Sequence, residues 1–211
     1  MSNMKVVHVI PAAFDYFDDI RAEAFSLMDN LETLGVTAEA FTVEFGRKTP
    51  SAIERGVDTL LPSTSRTFEG LVKTANALEA FASADIIHAH CPLLGMAGKI
   101  VHWKRAHSKQ PLLVTYHRPV ATPDFFSLLI VGYNEYYVPQ LFALADAVAA
   151  PSLDKVPRRI LKKSGGSIFE IDGSPQFCDE DLVENEEQAP LTVAERLALK
   201  YFIVYNTLAQ S

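Results

Sequence analysis

The sequence predicts a doubly wound α/β fold, with one mainly parallel sheet and a C-terminal helix packed back on it. Short apolar runs alternate with longer amphipathic stretches along residues 1–172. Proline or glycine residues separate many of these segments. Strands that alternate with helices favour parallel pairing, and such sheets bind their ligands at the carboxyl ends of the strands.

The predicted strands are short and apolar. Residues 5–10 form a β-branched run that ends before Pro11, which is typical of a parallel strand covered on both faces. Further strands are predicted at 37–45, 85–90, 112–116, 147–150 and 168–171.

The predicted helices carry apolar residues three and four positions apart. The first covers 18–34, and Gly35 follows it where a left-handed residue is favoured. Pro139 is expected to kink or break a long helix at 125–144, and residues 46–65 are expected to form a loop. The remaining helices are predicted at 68–83, 93–107 and 153–163.

Composition divides the chain into three segments. Residues 1–177 form the α/β domain, and 178–190 form an acidic linker without periodicity. Residues 191–211 are predicted to be a closing helix, because Thr192 and Glu195 have the spacing of a capping box. The apolar stripe of this helix needs a partner surface, and the α/β domain is the simplest one. The stripe comprises Leu197, Tyr201, Val204, Tyr205 and Leu208.

Charge and cysteine content narrow the functional classes. The chain of 211 residues has a net charge of −7, which disfavours nucleic-acid binding. Its two cysteines and the lack of a signal peptide at its start predict a cytoplasmic protein with reduced thiols. Two basic segments, 99–109 and 157–163, are interpreted as solvated helix faces. The alternative is peripheral contact with anionic lipids at the inner face of a membrane.

Two histidines mark the expected ligand-binding edge of the sheet. His90 ends one predicted strand, and His117 directly follows another. His117 can act as a proton donor, a base or a hydrogen-bond donor, and Arg118 adds a clamp for phosphate or carboxylate. The alternative is a histidine that satisfies loop backbone.

A metal site at these histidines is not favoured. His88 and His90 point to one face of a strand, with Cys91 adjacent, but no other residues supply the spacing of a structural zinc site. Neither a metal nor another cofactor is therefore expected.

The connection after the first strand does not fit a phosphate cradle. Residues 11–19 contain no glycine but hold three aspartates and three aromatic residues. One interpretation is that Asp18 or Asp19 caps the following helix. The alternative is an aromatic and carboxylate surface for a sugar or a protein partner.

Four segments match a known family in order and spacing: Val7-His8-Val9-Ile10-Pro11, Ala84-Asp85-Ile86-Ile87-His88-Ala89-His90, Leu113-Val114-Thr115-Tyr116-His117 and Ala145-Asp146-Ala147-Val148-Ala149-Ala150-Pro151-Ser152. Together they resemble the N-terminal domain of glycosyltransferase family 4, whose members are retaining GT-B enzymes. The resemblance implies a Rossmann-like half of a GT-B fold that mainly binds the acceptor. It also implies that His117 is the active-site histidine. The candidate substrate-binding residues beside it are Asp18, His90, Tyr116 and Arg118.

The chain also departs from that family. Tyr16-Phe17-Asp18-Asp19 stands where the family has a glycine pair, and the domain that binds the nucleotide sugar through an Arg/Lys pair and a Glu-x7-Glu motif is missing. The last helix resembles the family's closing helix, which crosses back onto the N-terminal domain. We therefore expect a naturally short protein that is inactive by itself.

Three functional hypotheses follow. In the first, the chain is the acceptor-side or accessory subunit of a glycosyltransferase system, and a separate donor-domain chain completes it. In the second, it is a non-catalytic relative that binds a sugar, a lipid-linked glycan or a protein. The third is an independent enzyme of another class that uses His117.

Aromatic residues near the expected cleft predict association with a second copy or a separate transferase subunit, since large exposed apolar patches are uncommon on monomers. The alternative is that these rings are buried locally. They are Phe14, Tyr16, Phe17, Tyr116, Phe125 and Phe126.

Overall fold

The computed structural model describes residues 4–11, 17–41, 74–93, 96–119, 125–172 and 191–210. Several predicted features lie outside these residues. They are the end of the second strand, the loop at 46–65, the start of the helix at 68–83 and the acidic linker at 178–190.

Six parallel strands form one sheet in the order β2-β1-β3-β4-β5-β6, which confirms the predicted fold class. The order reverses direction between β1 and β3, as it does in doubly wound sheets. The strands are β1 (Lys5–Val9), β2 (Thr37–Phe41), β3 (Ile86–Cys91), β4 (Leu112–Tyr116), β5 (Ala147–Ala150) and β6 (Ser167–Glu170).

Helices cover both faces of the sheet. One face carries the first and last helices, and the other face carries the helices between them. The described helices are α1 (Asp18–Thr33), α2 (Thr74–Ser83), α3 (Ala97–Ala106), α4 (Phe125–Leu144), α5 (Arg158–Leu161) and α6 (Val193–Ala209).

The two faces of the sheet differ in polarity because successive side chains of a strand point in opposite directions. On β1, Val7 and Val9 join the apolar core under α2, α3 and α4. Val6 packs toward α1 and α6, and His8 shares that face of the strand. The same alternation places His88 and His90 of β3 on the α1–α6 face.

The last helix packs back on the sheet, as its apolar stripe predicts. The side chain of Thr192 accepts a hydrogen bond from the backbone N–H of Glu195, and the Glu195 carboxylate accepts one from the backbone N–H of Thr192, so the capping box is confirmed. Tyr201, Val204 and Tyr205 are buried in one cluster with residues of α1 and the central strands, whereas Leu197 is only partly buried.

Two helix predictions need correction near prolines. The single helix predicted at 153–163 is a 3₁₀ turn (Leu153–Lys155) followed by the short helix α5. Pro157 forces the preceding Val156 into an extended conformation, with φ −86° and ψ 125°, and this ends the turn. Of the kink or break predicted at Pro139, the break is wrong, since α4 continues through this residue and buries Leu141 and Phe142 against the sheet.

The start of α1 also differs from the prediction. Phe17 is the N-cap residue and makes no side-chain capping bond, so neither Asp18 nor Asp19 caps the helix. Both aspartates lie in the first turn, where a carboxylate interacts favourably with the helix dipole. At the other end, Gly35 adopts the left-handed conformation as predicted, with φ 82°.

One lysine of the predicted solvated basic face is buried instead. The Lys104 ammonium donates to Asp146 Oδ2 and to the carbonyl oxygens of Ser108 and Gln110, each at 2.7 Å. Asp146 Oδ2 also accepts the backbone N–H of Leu112 at 2.7 Å. This ion pair therefore joins the end of α3 to the starts of β4 and β5.

We expect Asp146→Ala to lower the free energy of unfolding by about 2–3 kcal/mol, because it leaves a buried ammonium without its counter-charge and a backbone N–H without its acceptor. Urea unfolding of the whole chain measures this change. Glu39→Ala is the control, since it removes the carboxylate of the exposed Lys5–Glu39 pair and should cost about 0.5 kcal/mol. Equal losses in the two variants would contradict the structural role of Asp146.

Candidate functional site

A cleft of about 560 Å³ opens at the carboxyl edge of the sheet, between α1 and the start of α6. This is where the fold class predicts a ligand site. Most of the lining is apolar, and the polar side chains come from several elements of the fold. The lining residues are Ala22, Glu23, Ser26, Leu27, His90, His117, Pro151, Ile171, Asp172, Val193, Ala194, Leu197 and Tyr201.

The strands bring His90 and His117 together at this cleft. β3 and β4 pair with His90 beside Thr115, and the backbone N–H of His117 donates to the Cys91 carbonyl at 2.9 Å. The pairing continues one residue beyond β4, so the His117 side chain lies over the same face as His90. The sequence analysis predicted both residues at this edge, and the structure places them in contact.

A chain of hydrogen bonds runs from the cleft into the core. Glu23 Oε2 on α1 lies 2.8 Å from His117 Nδ1, and His117 Nε2 lies 2.9 Å from His90 Nδ1. His90 Nε2 in turn lies 3.0 Å from His8 Nδ1. The Glu23 side chain is 63% exposed and that of His117 only 9%, while His90 and His8 are fully buried.

A second set of hydrogen bonds ties α6 to the same layer of side chains. His88 Nδ1 lies 2.7 Å from the Tyr205 hydroxyl, and His88 Nε2 lies 2.7 Å from the Thr115 hydroxyl. Thr115 Oγ1 also lies 3.0 Å from the Tyr201 hydroxyl. The last helix is therefore held to β3 and β4 by polar contacts as well as by its apolar stripe.

Burial keeps these groups neutral. It lowers the pKa of His8 to about 3, and it lowers the pKa values of His88 and His90 well below their ordinary range. Nearby histidines lower the pKa values of His88 and His90 further. Burial also raises the pKa values of Tyr201 and Tyr205, so both phenols stay protonated at neutral pH.

Three of the histidines could hold a metal ion. One ring nitrogen from each of His8, His88 and His90 lies within 4.8 Å of the others. However, five of the six ring nitrogens already take part in hydrogen bonds, and His8 Nε2 is the one without a partner. A metal would have to displace these bonds and leave its charge in a buried site with neutral ligands. The absence of a metal therefore stays our prediction.

Two predicted substrate-binding residues lie near the start of α1 instead of in the cleft lining. Asp18 pairs with Arg21 in the first turn, at 3.2 Å. Arg118 donates two hydrogen bonds to the Asp19 carboxylate, at 2.7 and 3.0 Å. This hydrogen bond to Arg118 is the main cause that lowers the pKa of Asp19. A role for Asp18 and Arg118 in substrate binding stays a prediction.

The remaining predicted residue, Tyr116, lies on the opposite face of the sheet from His117. It packs edge-on against Phe142 and lines a separate cavity of about 110 Å³. Burial raises the pKa of Tyr116 to about 12. Tyr116 and Phe17 are both buried, so neither contributes to an exposed aromatic face, while the side chains of Phe14, Tyr16, Phe125 and Phe126 lie outside the described residues.

Sequence reasoning missed Glu23, His8 and the two tyrosines as parts of the site. Glu23 and His117 are 94 residues apart, and His8 and His90 are 82 residues apart. No spacing rule joins residues at such distances, because the sheet order decides which strands become neighbours. One signal was available for His8: like His88, it occupies an otherwise apolar strand.

Comparisons with known proteins agree with the predicted resemblance. A family model described as Glycosyltransferase Family 4 matches residues 24–154. No curated protein matches the chain.

Several solved structures are similar in fold at low sequence identity. An alpha-glucosyltransferase in complex with UDP shares 9% identity at a TM-score of 0.48, over 70% of this chain and 35% of that one. An alpha-glucosyltransferase in complex with UDP and a 13-mer DNA containing a HMU base shares 10% identity at 0.48, over 72% of this chain and 37% of that one. An alpha-glucosyltransferase in complex with UDP and a 13-mer DNA containing a central A:G mismatch shares 10% identity at a TM-score of 0.49, over 72% of this chain and 38% of that one. The chain thus spans little more than a third of these proteins.

We expect the free energy of unfolding to fall by about 4 kcal/mol between pH 7.5 and pH 5.5. The folded-state pKa values of His8, His88 and His90 lie below the unfolded value of 6.5, so stability is complete above that pH and declines as pH falls toward the folded pKa values. Each histidine contributes about 1.4 kcal/mol over that whole window, because its unfolded-state pKa lies in the middle of it.

Urea unfolding at several pH values measures this dependence. The exposed His102 supplies the control, because His102→Gln should leave the slope unchanged. A free energy of unfolding that stays constant from pH 7.5 to 5.5 would show that the three histidines are not held neutral in the folded chain.

Proposed function

The chain belongs to Glycosyltransferase Family 4, and we propose that it is the acceptor-side or accessory component of a glycosyltransferase system that acts with a separate donor-binding partner. The acceptor is a sugar or a lipid-linked glycan. In this proposal the chain positions the acceptor hydroxyl, and the partner supplies the nucleotide sugar.

The observation that carries the proposal is the Glu23–His117 pair at the wall of a mostly apolar cleft. A carboxylate and an imidazole can both hydrogen-bond a sugar hydroxyl. The apolar lining, which includes Leu197 and Ile171, suits the C–H face of a sugar ring or the start of a lipid chain. The cleft volume of about 560 Å³ falls within the range of small-molecule sites.

The position of α6 supports a separate donor-binding partner. Residues 173–190 join β6 to α6, and this segment is far shorter than a domain of about 50 residues or more. α6 then returns to the sheet and packs beside α1. The partner is a donor-domain glycosyltransferase chain, and the alternative arrangement is a homodimer of this chain.

A second candidate is a non-catalytic relative that binds a sugar, a lipid-linked glycan or a protein. The charge of the cleft fits this alternative better than it fits a site that binds a nucleotide sugar. Its described lining residues include the carboxylates Glu23 and Asp172 but no lysine or arginine. A nucleotide diphosphate would meet repulsion there in place of a cationic clamp.

We propose at most a peripheral contact between the protein and a membrane surface. None of the described helices combines the length and the apolar character needed to cross a bilayer. Arg105, Lys109 and Arg158 are exposed and could meet anionic lipid headgroups at the inner face of a membrane.

We expect calorimetry with UDP- and GDP-sugars to show no binding to the chain alone tighter than roughly millimolar, about −4 kcal/mol. The lining residues that the structure describes offer no lysine or arginine to the phosphates, and the donor site belongs to the partner in our proposal. A micromolar isotherm for any of these nucleotide sugars would contradict it.

A direct test of the cleft uses octyl β-D-glucoside, which combines sugar hydroxyls with an apolar chain, below its micelle concentration. We expect ligand-observed NMR to show binding at roughly millimolar Kd or tighter. Ala22→Trp should abolish it, because Ala22 is an exposed residue of α1 that lines the cleft, and an indole there would fill it.

Asp29→Trp is the matched control, since Asp29 is exposed on the same helix but does not line the cleft. It should bind the probe like the unchanged chain. If no binding is seen, or if both tryptophan variants lose it equally, the cleft is not an acceptor site.

A further inference from the structure

The hydrogen-bonded chain from Glu23 to His8 has two unlike ends. At the cleft end, the Glu23 carboxylate can only accept hydrogen bonds, and it lies 2.8 Å from His117 Nδ1. At the core end, His8 Nε2 is buried and has no hydrogen-bond partner. These two ends fix the direction in which the protons of the chain point.

One arrangement of protons satisfies every contact. His117 Nδ1–H donates to Glu23, so His117 Nε2 is free to accept from His90 Nδ1–H. His90 Nε2 then accepts from His8 Nδ1–H, and a lone pair is left on His8 Nε2. In this arrangement each of the three rings carries one proton, on Nδ1.

The reverse arrangement is disfavoured at both ends. It would place a buried N–H without an acceptor on His8 Nε2, which costs the desolvation of that donor. It would also turn the lone pair of His117 Nδ1 toward the Glu23 carboxylate, where two acceptors repel. Free neutral histidine prefers the proton on Nε2, so the protein reverses that preference three times.

We propose that Glu23 is the group that receives a ligand hydroxyl in the cleft, and that His90 and His8 are positioning residues that hold His117 as its Nδ1–H tautomer. The hydroxyl-binding role rests on the proposed function. The assigned tautomers do not rest on it, because they follow from hydrogen bonds within the protein.

Exposure and hydrogen bonding separate the roles of Glu23 and His117. Both ring nitrogens of His117 are already engaged, and its side chain is 9% exposed. A ligand could reach either nitrogen only by breaking a bond of the chain. The Glu23 side chain is 63% exposed and lines the cleft, so it can accept a hydroxyl while it still accepts from His117. The ligand group at Glu23 is therefore a hydrogen-bond donor, which in the proposed function is a sugar hydroxyl, and anions are excluded.

The first test reads the tautomers in the ligand-free chain. Nitrogen-15 NMR distinguishes a protonated from an unprotonated ring nitrogen, and we expect His8, His90 and His117 each to show a protonated Nδ1 and an unprotonated Nε2 at pH 7.5. A protonated Nε2 with an unprotonated Nδ1 on any of the three would overturn the assignment.

A variant then tests the positioning role. His90→Phe removes the donor to His117 Nε2, so His117 should show a mixture of tautomers and the probe octyl β-D-glucoside should bind more weakly. His102→Phe is the control, because His102 is an exposed histidine of α3 outside this hydrogen-bonded network, and its loss should leave the His117 signal unchanged. If His90→Phe folds and its His117 nitrogen-15 signal is the same as in the original protein, the positioning role is overturned. If His90→Phe does not fold, the tautomers measured in the original protein decide whether the positioning role stands.

The last test concerns Glu23. Glu23→Ala should weaken octyl β-D-glucoside binding about tenfold, the loss expected for one hydrogen bond to a charged group. Glu32→Ala, an exposed carboxylate of the same helix outside the cleft, should leave binding unchanged. Equal binding by the two variants would overturn the role of Glu23. Failure of the probe to bind the unchanged chain would overturn the proposed function, whereas the tautomer result would stand or fall separately.

Discussion

The hydrogen bond between His88 and Tyr205 joins the sheet to the last helix, and much of the molecule depends on it. His88 lies on a central strand and is fully buried, so its imidazole is tolerated there only if both nitrogens find partners. Thr115 of the adjacent strand supplies one partner and α6 supplies the other, at 2.7 Å each. The buried histidine layer therefore depends on α6 for a hydrogen-bond partner, and the apolar stripe of α6 depends on the sheet for its burial.

The cleft is a consequence of the same arrangement. α6 lies beside α1, and its first turns form one wall with Val193, Ala194 and Leu197, while α1 contributes Glu23. Under them the histidines form a continuous layer: His90 touches both His8 and His117. The opposite face of the sheet has an apolar core under α3 and α4, so the polar chemistry is confined to one side.

The family relationship and the local chemistry point to the same edge of the sheet. The match to Glycosyltransferase Family 4 covers residues 24–154, which include β3, β4 and His117. Glu23 lies just before that range, and α6 lies well beyond it. The matched region therefore contains His90 and His117, while Glu23 and the first turns of α6, which also line the cleft, lie outside it.

Much of the fold followed from local patterns. β4, α4 and β5 begin and end at the predicted residues, and the capping box of Thr192 and Glu195 forms as its spacing indicates. Side-chain alternation and helical periodicity are properties of neighbouring residues, so the sequence carries them directly. Prolines were less predictable, since Pro139 lies inside a helix that is held by packing, whereas Pro157 ends a turn.

By itself, the sequence determined the alternation of strands and helices, the strand edge at which His90 and His117 lie, and the need for a surface to cover the last helix. Only the tertiary structure decided that Glu23 meets His117, that His8 meets His90, and that Lys104 is buried against Asp146. These pairs join residues far apart in the chain. Their contacts depend on which strands lie side by side and on which face each helix covers, and no local pattern of residues encodes that information.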